Sequence, residues 1–113
     1  MERKVVFSPE AAVDLFTIYD YIVKQSGPAR AIGYISRIET HCLGFRYSAE
    51  RGTKRDDLRP GLRISGFERR VTIAFHVERA AVIIDRILYA GRDVPQALRK
   101  RRSSVGRPRG KRG

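Results

Sequence analysis

Residues 71–89, VTIAFHVERAAVIIDRILY, hold two apolar stretches around a short polar turn, and the way they pair decides the fold. Val71, Ile73, Phe75 and Val77 alternate with Thr72, Ala74 and His76, which is the period of a half-buried strand. Glu78-Arg79-Ala80 supplies the turn. Val82 to Tyr89 is nearly continuously apolar, as expected of a central strand. Asp85 and Arg86 interrupt it, and they make the register consequential.

Two registers are open. With Val77 opposite Val82, Phe75 faces Ile84 and Ile73 faces Arg86. Arg86 then lies on the core side, at a cost of several kcal/mol unless a partner meets it. With the loop one residue longer, Ile73 faces Ile87 and Arg86 lies opposite Ala74, on the face of His76. Asp85 then needs an arginine or a backbone partner. A slip of one residue exchanges the two faces. The second register is the expected one, because it puts the arginine where water reaches it, with Arg63 free to join.

Upstream, residues 3–7 read as a strand. Ser8-Pro9-Glu10 then starts a helix, with Ser as N-cap, Pro in the first position and an acid near the positive dipole end. Ala12, Leu15, Tyr19 and Ile22 recur at helical steps across residues 9–25. Gly27-Pro28 breaks and restarts the chain. A second helix over about 28–46 aligns Ala31, Ile35, Ile38, Cys42 and Phe45. The two helices form an antiparallel hairpin with a joint of two or three residues. Residues 47–61 are polar and read as a solvated loop, and Leu62 to Ile64 as a short strand. The order is β-α-α-β-β-β. The expected class is α+β, with the helix hairpin packed on one face of a small antiparallel sheet and the other face partly open.

The chain of 113 residues suits one domain, over residues 1–98. Eight of its 24 Lys/Arg lie in residues 99–113 without an acid, so most of the +12 net charge sits in that tail. The tail lacks a core-forming pattern and is expected to be disordered. Arg101, Arg102, Arg107 and Arg109 are its candidate contacts to nucleic acid or an acidic partner, and Gly106-Arg107-Pro108 resembles an AT-hook core. A single cysteine, Cys42, excludes an intrachain disulfide. The apolar runs are short of a membrane span and the N-terminus lacks a signal-peptide pattern, so a cytoplasmic protein is expected. Two histidines and scattered acids give no metal-ligand spacing, and no cofactor motif is present. His41 reads as a boundary residue on the second helix.

The FSPEA start (Phe7 to Ala11), the DLRPGLR segment (Asp57 to Arg63) and RILYAGRD (Arg86 to Asp93) resemble the RelE/ParE toxin superfamily of bacterial toxin–antitoxin modules. The last two are most similar to the ParE branch. The resemblance spans roughly residues 3–95. It implies a small toxin neutralised by a ParD-like antitoxin encoded beside it. ParE-like toxins are associated with poisoning DNA gyrase; RelE-like relatives cleave messenger RNA on the ribosome. Ribonuclease chemistry needs a base, an acid and positive charge on the phosphate. Here Phe75 stands where relatives often carry tyrosine, His76 where arginine is common, and Tyr89 where histidine is frequent. The expectation is therefore a gyrase- or topoisomerase-binding toxin that is not itself an enzyme, the alternative being a ribosome-dependent endoribonuclease. Arg63, His76, Arg86, Tyr89 and Arg92 are its candidate toxicity surface. Phe16, Tyr19 and Tyr34 are candidates for the groove that receives the antitoxin.

Overall fold

The computed structural model describes residues 2–90. Arg92 and the basic tail therefore lie outside the described residues. The chain runs β1 (Lys4–Phe7), α1 (Pro9–Ser26), α2 (Pro28–Leu43), a 3-10 turn (Gly44–Arg46), β2 (Thr53–Lys54), β3 (Leu62–Phe67), β4 (Val71–Val77) and β5 (Ala81–Tyr89). The expected order of elements is present, with one addition: the polar loop contributes the two-residue β2. The five strands form one sheet in the order β1-β5-β4-β3-β2. β2 to β5 pair antiparallel, whereas β1 lies parallel to β5, from Lys4↔Ala81 to Phe7↔Ile84. β5 is thus flanked on both sides, in keeping with its apolar run.

Local chemistry sets the helix boundaries. Ser8 Oγ accepts the Ala11 N–H at 3.0 Å and donates to the Asp85 carbonyl at 2.9 Å. It therefore caps α1 and ties that end to β5. The helices are joined by Gly27 alone, one residue where two or three were expected. Its φ of 90° and ψ of 165° fall in a region essentially restricted to glycine. Pro28 then opens α2 at once.

The inner face of α1 is rotated from the expected stripe. Ala11, Asp14 and Ile18 are buried, while Ala12 is exposed and Tyr19 half-buried. Asp14 leaves no mark in the apolar periodicity of α1, because a carboxylate does not score as apolar. On α2, Ala31, Ile38 and Cys42 point inward as expected, and Phe45 follows on the 3-10 turn. Phe45 stacks on Phe75 at 4.4 Å between centroids, joining the helix layer to the sheet. Burial pushes the Cys42 thiol up to about 12, so it is an inert core group.

The register is neither of the two expected alternatives alone. Val77↔Val82, His76↔Ile83 and Phe75↔Ile84 follow the first; Ala74↔Arg86 and Ile73↔Ile87 follow the second. Asp85 is the extra residue between them, a β-bulge. The bulge keeps Val82 and Ile84 on the helix side before it, and Ile87 and Tyr89 on the same side after it. A regular strand would have turned one of these pairs out to the second face.

The second face is partly roofed. Leu58, from the loop expected to be solvated, is buried against Leu62 and Ala74, with Ile64 beside them. β3 also runs on to Phe67, beyond the short strand expected. The Glu68-Arg69 turn after it has positive φ at both residues, 49° and 65°, a primed turn made without glycine.

Candidate functional site

Asp85 finds the arginine it required, but from the loop. Arg59 Nη2 lies 2.9 Å from Asp85 Oδ2, and both side chains are largely buried. The same carboxylate oxygen is 2.7 Å from His76 Nδ1, and His76 Nε2 is 3.0 Å from Glu78. Arg59, Asp85, His76 and Glu78 therefore form one chain of polar contacts on the second face. His76 is its half-exposed member. Ile83 and Val6 pair in register with each other and with His76, which places apolar side chains next to the imidazole.

Arg86 does not join this group. Its Nε and Nη2 donate to the two oxygens of Asp14 at 2.8 and 2.9 Å, and Asp14 Oδ2 also accepts the Ile87 N–H at 2.8 Å. β1 pairs with β5 only as far as Ile84, so beyond the bulge the Asp14 carboxylate supplies an acceptor to the strand edge. The Arg86 and Asp14 side chains are 14% and 8% exposed. The expectation of a free Arg86 on the open face is corrected: the guanidinium is consumed by a structural clamp. Donation to the Asp14 carboxylate raises the already high pKa of Arg86 further.

Arg63 is corrected as well. It pairs in register with Phe75, which puts it on the helix side of the sheet, and it is ion-paired to Glu50 at 2.9 Å. Tyr89 also lies on the helix side, packed against the main core. The expected surface of Arg63, His76, Arg86 and Tyr89 is therefore divided among two faces and an edge. In particular, His76 and Tyr89 stand on opposite sides of the sheet. They cannot serve one phosphate as base and acid.

Tyr89 belongs instead to an aromatic cluster that the sequence reading found only through Tyr34. Tyr89 meets Tyr21 at 5.5 Å and Tyr34 at 6.0 Å between centroids, and Tyr34 meets Phe67 at 6.2 Å. Arg37 lies 5.1 Å over the Tyr34 ring and grips Glu68 with two hydrogen bonds of 3.0 and 3.1 Å. That grip holds Glu68 in its positive-φ turn. Arg37 also keeps the Glu68 carboxyl below its ordinary range, while burial, and then Tyr89, push the Tyr34 phenol up. Tyr21, Tyr34, Tyr89, Arg37 and Glu68 line a cleft of about 580 Å³ between the helix hairpin, the β3–β4 turn and the end of β5, with Arg30 and Arg70 also on its walls. Of the other two groove candidates, Phe16 is 70% exposed on the outer face of α1 and Tyr19 is half-buried. Neither lines this cleft. Tyr21 was missed because it falls off the expected stripe of α1.

His41 sits between Phe45 and Phe67, at 5.5 and 5.0 Å between ring centroids. Its Nε2 is buried without a hydrogen-bond partner, and burial, then Arg51, lower its pKa. No group of metal-ligating side chains is found among the described residues, and none of their helices is long and apolar enough to cross a membrane.

Over residues 5–94 the chain matches the family model described as ParE toxin of type II toxin-antitoxin system, parDE. Among solved structures it is similar to one described as the chromosomal ParDE TA system from P. aeruginosa. The two are 28% identical with a TM-score of 0.70, over 79% of this chain and 97% of that one. No curated protein matches the sequence.

Proposed function

The chain belongs to the ParE toxin family of type II toxin–antitoxin systems, and from that premise we propose that it inhibits DNA gyrase or a related topoisomerase by binding, until a ParD-like antitoxin occupies it. The observation that carries this reading is the family match across nearly the whole described domain. The separation of His76 from Tyr89 by the sheet favours binding over ribonuclease chemistry.

The surface assigned to the topoisomerase is the second face around His76. There an accessible imidazole and the apolar Val6 and Ile83 stand beside a fixed ionic network. A rigid patch of this kind loses little freedom on docking. The antitoxin is assigned to the helix side, through the exposed Phe16 and the tyrosine cleft. The two surfaces are different, so neutralisation would act by sequestration or by bulk, without competition for the same side chains.

The test is a supercoiling assay with purified gyrase and relaxed plasmid. Added protein should block supercoiling or trap cleaved DNA, and the product of the adjacent open reading frame should reverse the effect. Normal supercoiling at saturating protein would overturn the proposal.

A further inference from the structure

The tyrosine cleft is rich in donors and poor in acceptors. Three phenols, those of Tyr21, Tyr34 and Tyr89, belong to it, and none has a hydrogen-bond partner among the described residues. Two guanidinium groups, Arg30 and Arg70, line it and form no ion pair among the described residues. A third, Arg37, is already committed to Glu68, the single carboxylate on the walls among the described residues. Among the described residues the balance is thus two cations without an ion pair and three hydroxyls without a hydrogen bond, around aromatic surface. A chain optimised only for stability has little use for that arrangement, because like charges at one concavity repel. A partner bearing an oxyanion next to an apolar group satisfies both halves of the lining.

We infer that the cleft receives an acidic side chain of the antitoxin's docking segment, its carboxylate on Arg30 and Arg70. An apolar residue of the same segment lies on the rings of Tyr21, Tyr34 and Tyr89. The inference rests on the antitoxin reading above and specifies its chemistry. A peptide carboxylate is favoured over a free anion by the lining, since the tyrosine rings would otherwise remain wet. The arginines steer the encounter and set the specificity, and the rings hold the bound segment. The turn that presents Arg70 is held from the opposite wall by the Arg37–Glu68 grip, so the cleft is pre-shaped before the partner arrives.

The experiment measures the affinity of the full-length chain for the product of the adjacent open reading frame by calorimetry at low and high salt. The double variant Arg30→Gln, Arg70→Gln is compared with wild type. Neither guanidinium has a hydrogen bond or ion pair among the described residues, so the variant should keep the wild-type melting temperature. Its affinity should fall by roughly 30-fold or more, and much of the salt dependence should disappear. Replacing one acidic residue of the partner by glutamine should give a loss that does not add to that of the double variant. Undiminished affinity in the double variant overturns the inference while leaving the antitoxin reading intact. If wild type forms no complex, both fall. Inorganic phosphate is the third arm. Perturbation of the cleft's arginine resonances by phosphate, together with full antitoxin affinity in the double variant, would mark a free-anion site and overturn the inference.

Discussion

Asp14 and Arg86 show how one residue pair governs a strand end. The carboxylate caps an N–H that β1 leaves behind, and the guanidinium neutralises the carboxylate in a place where water barely reaches. Removing one partner of such a pair strands the other charge. Arg86→Ala should cost about 3–5 kcal/mol in urea unfolding. Asp14→Asn should cost less, since it keeps an acceptor for Ile87 N–H. A loss below about 1 kcal/mol for Arg86→Ala would contradict the clamp, because that is the value of a solvated pair. It follows that loss of toxicity in an Arg86 variant reports on folding before it reports on a target contact. His41 gives a second prediction. Its folded pKa lies below the ordinary 6.5, so the folded state favours the neutral ring. As pH falls through 6.5, the unfolded chain takes up a proton that the folded chain resists, and stability declines. His41→Phe should flatten that decline between neutral pH and the depressed value, measured as the difference between the two melting-temperature profiles. An unchanged profile would show that the buried ring is not the group responsible.

At the scale of elements, the hairpin of helices depends on one glycine and the sheet on one bulge. Gly27 has open space around its missing Cβ, so a substitution there meets backbone strain and no clash. Gly27→Ala should therefore destabilise by about 1–3 kcal/mol without disturbing the packing of either helix. Thermal melting reads the loss, and heteronuclear NMR should show shifts confined to the joint. The bulge explains why two sequence registers both looked acceptable. Each is correct for half of the hairpin, and Asp85 absorbs the phase difference. Alternation alone could not reveal this. A bulge leaves no periodic trace when the residues around it are apolar on both sides of the strand. The clue in the sequence was the adjacent charges Asp85 and Arg86 in an otherwise apolar run. They point away from each other, one to Arg59 and one to Asp14.

For the whole molecule, charge is the quantity that spans the domain and the tail. Residues 99–113 carry eight cations and no acid. We expect truncation after Leu98 to leave antitoxin affinity and melting temperature unchanged. On duplex DNA it should reduce the slope of log affinity against log salt, by up to about seven if every tail cation meets a phosphate. An unaltered slope would assign any DNA binding to the domain. The sequence by itself determined the order of elements, the capped start of α1, the inward stripe of α2, the central place of β5 and the family. These are local or periodic properties, set by which residues sit three, four or two positions apart. Only the tertiary structure decided where the charged side chains went. Arg63 sits opposite Phe75, Arg86 reaches Asp14 across 72 positions of chain, and Tyr21, Tyr34 and Tyr89 converge from three elements. A long, flexible charged side chain is placed by the partner that reduces its desolvation cost, and that partner is fixed by packing between elements distant in sequence.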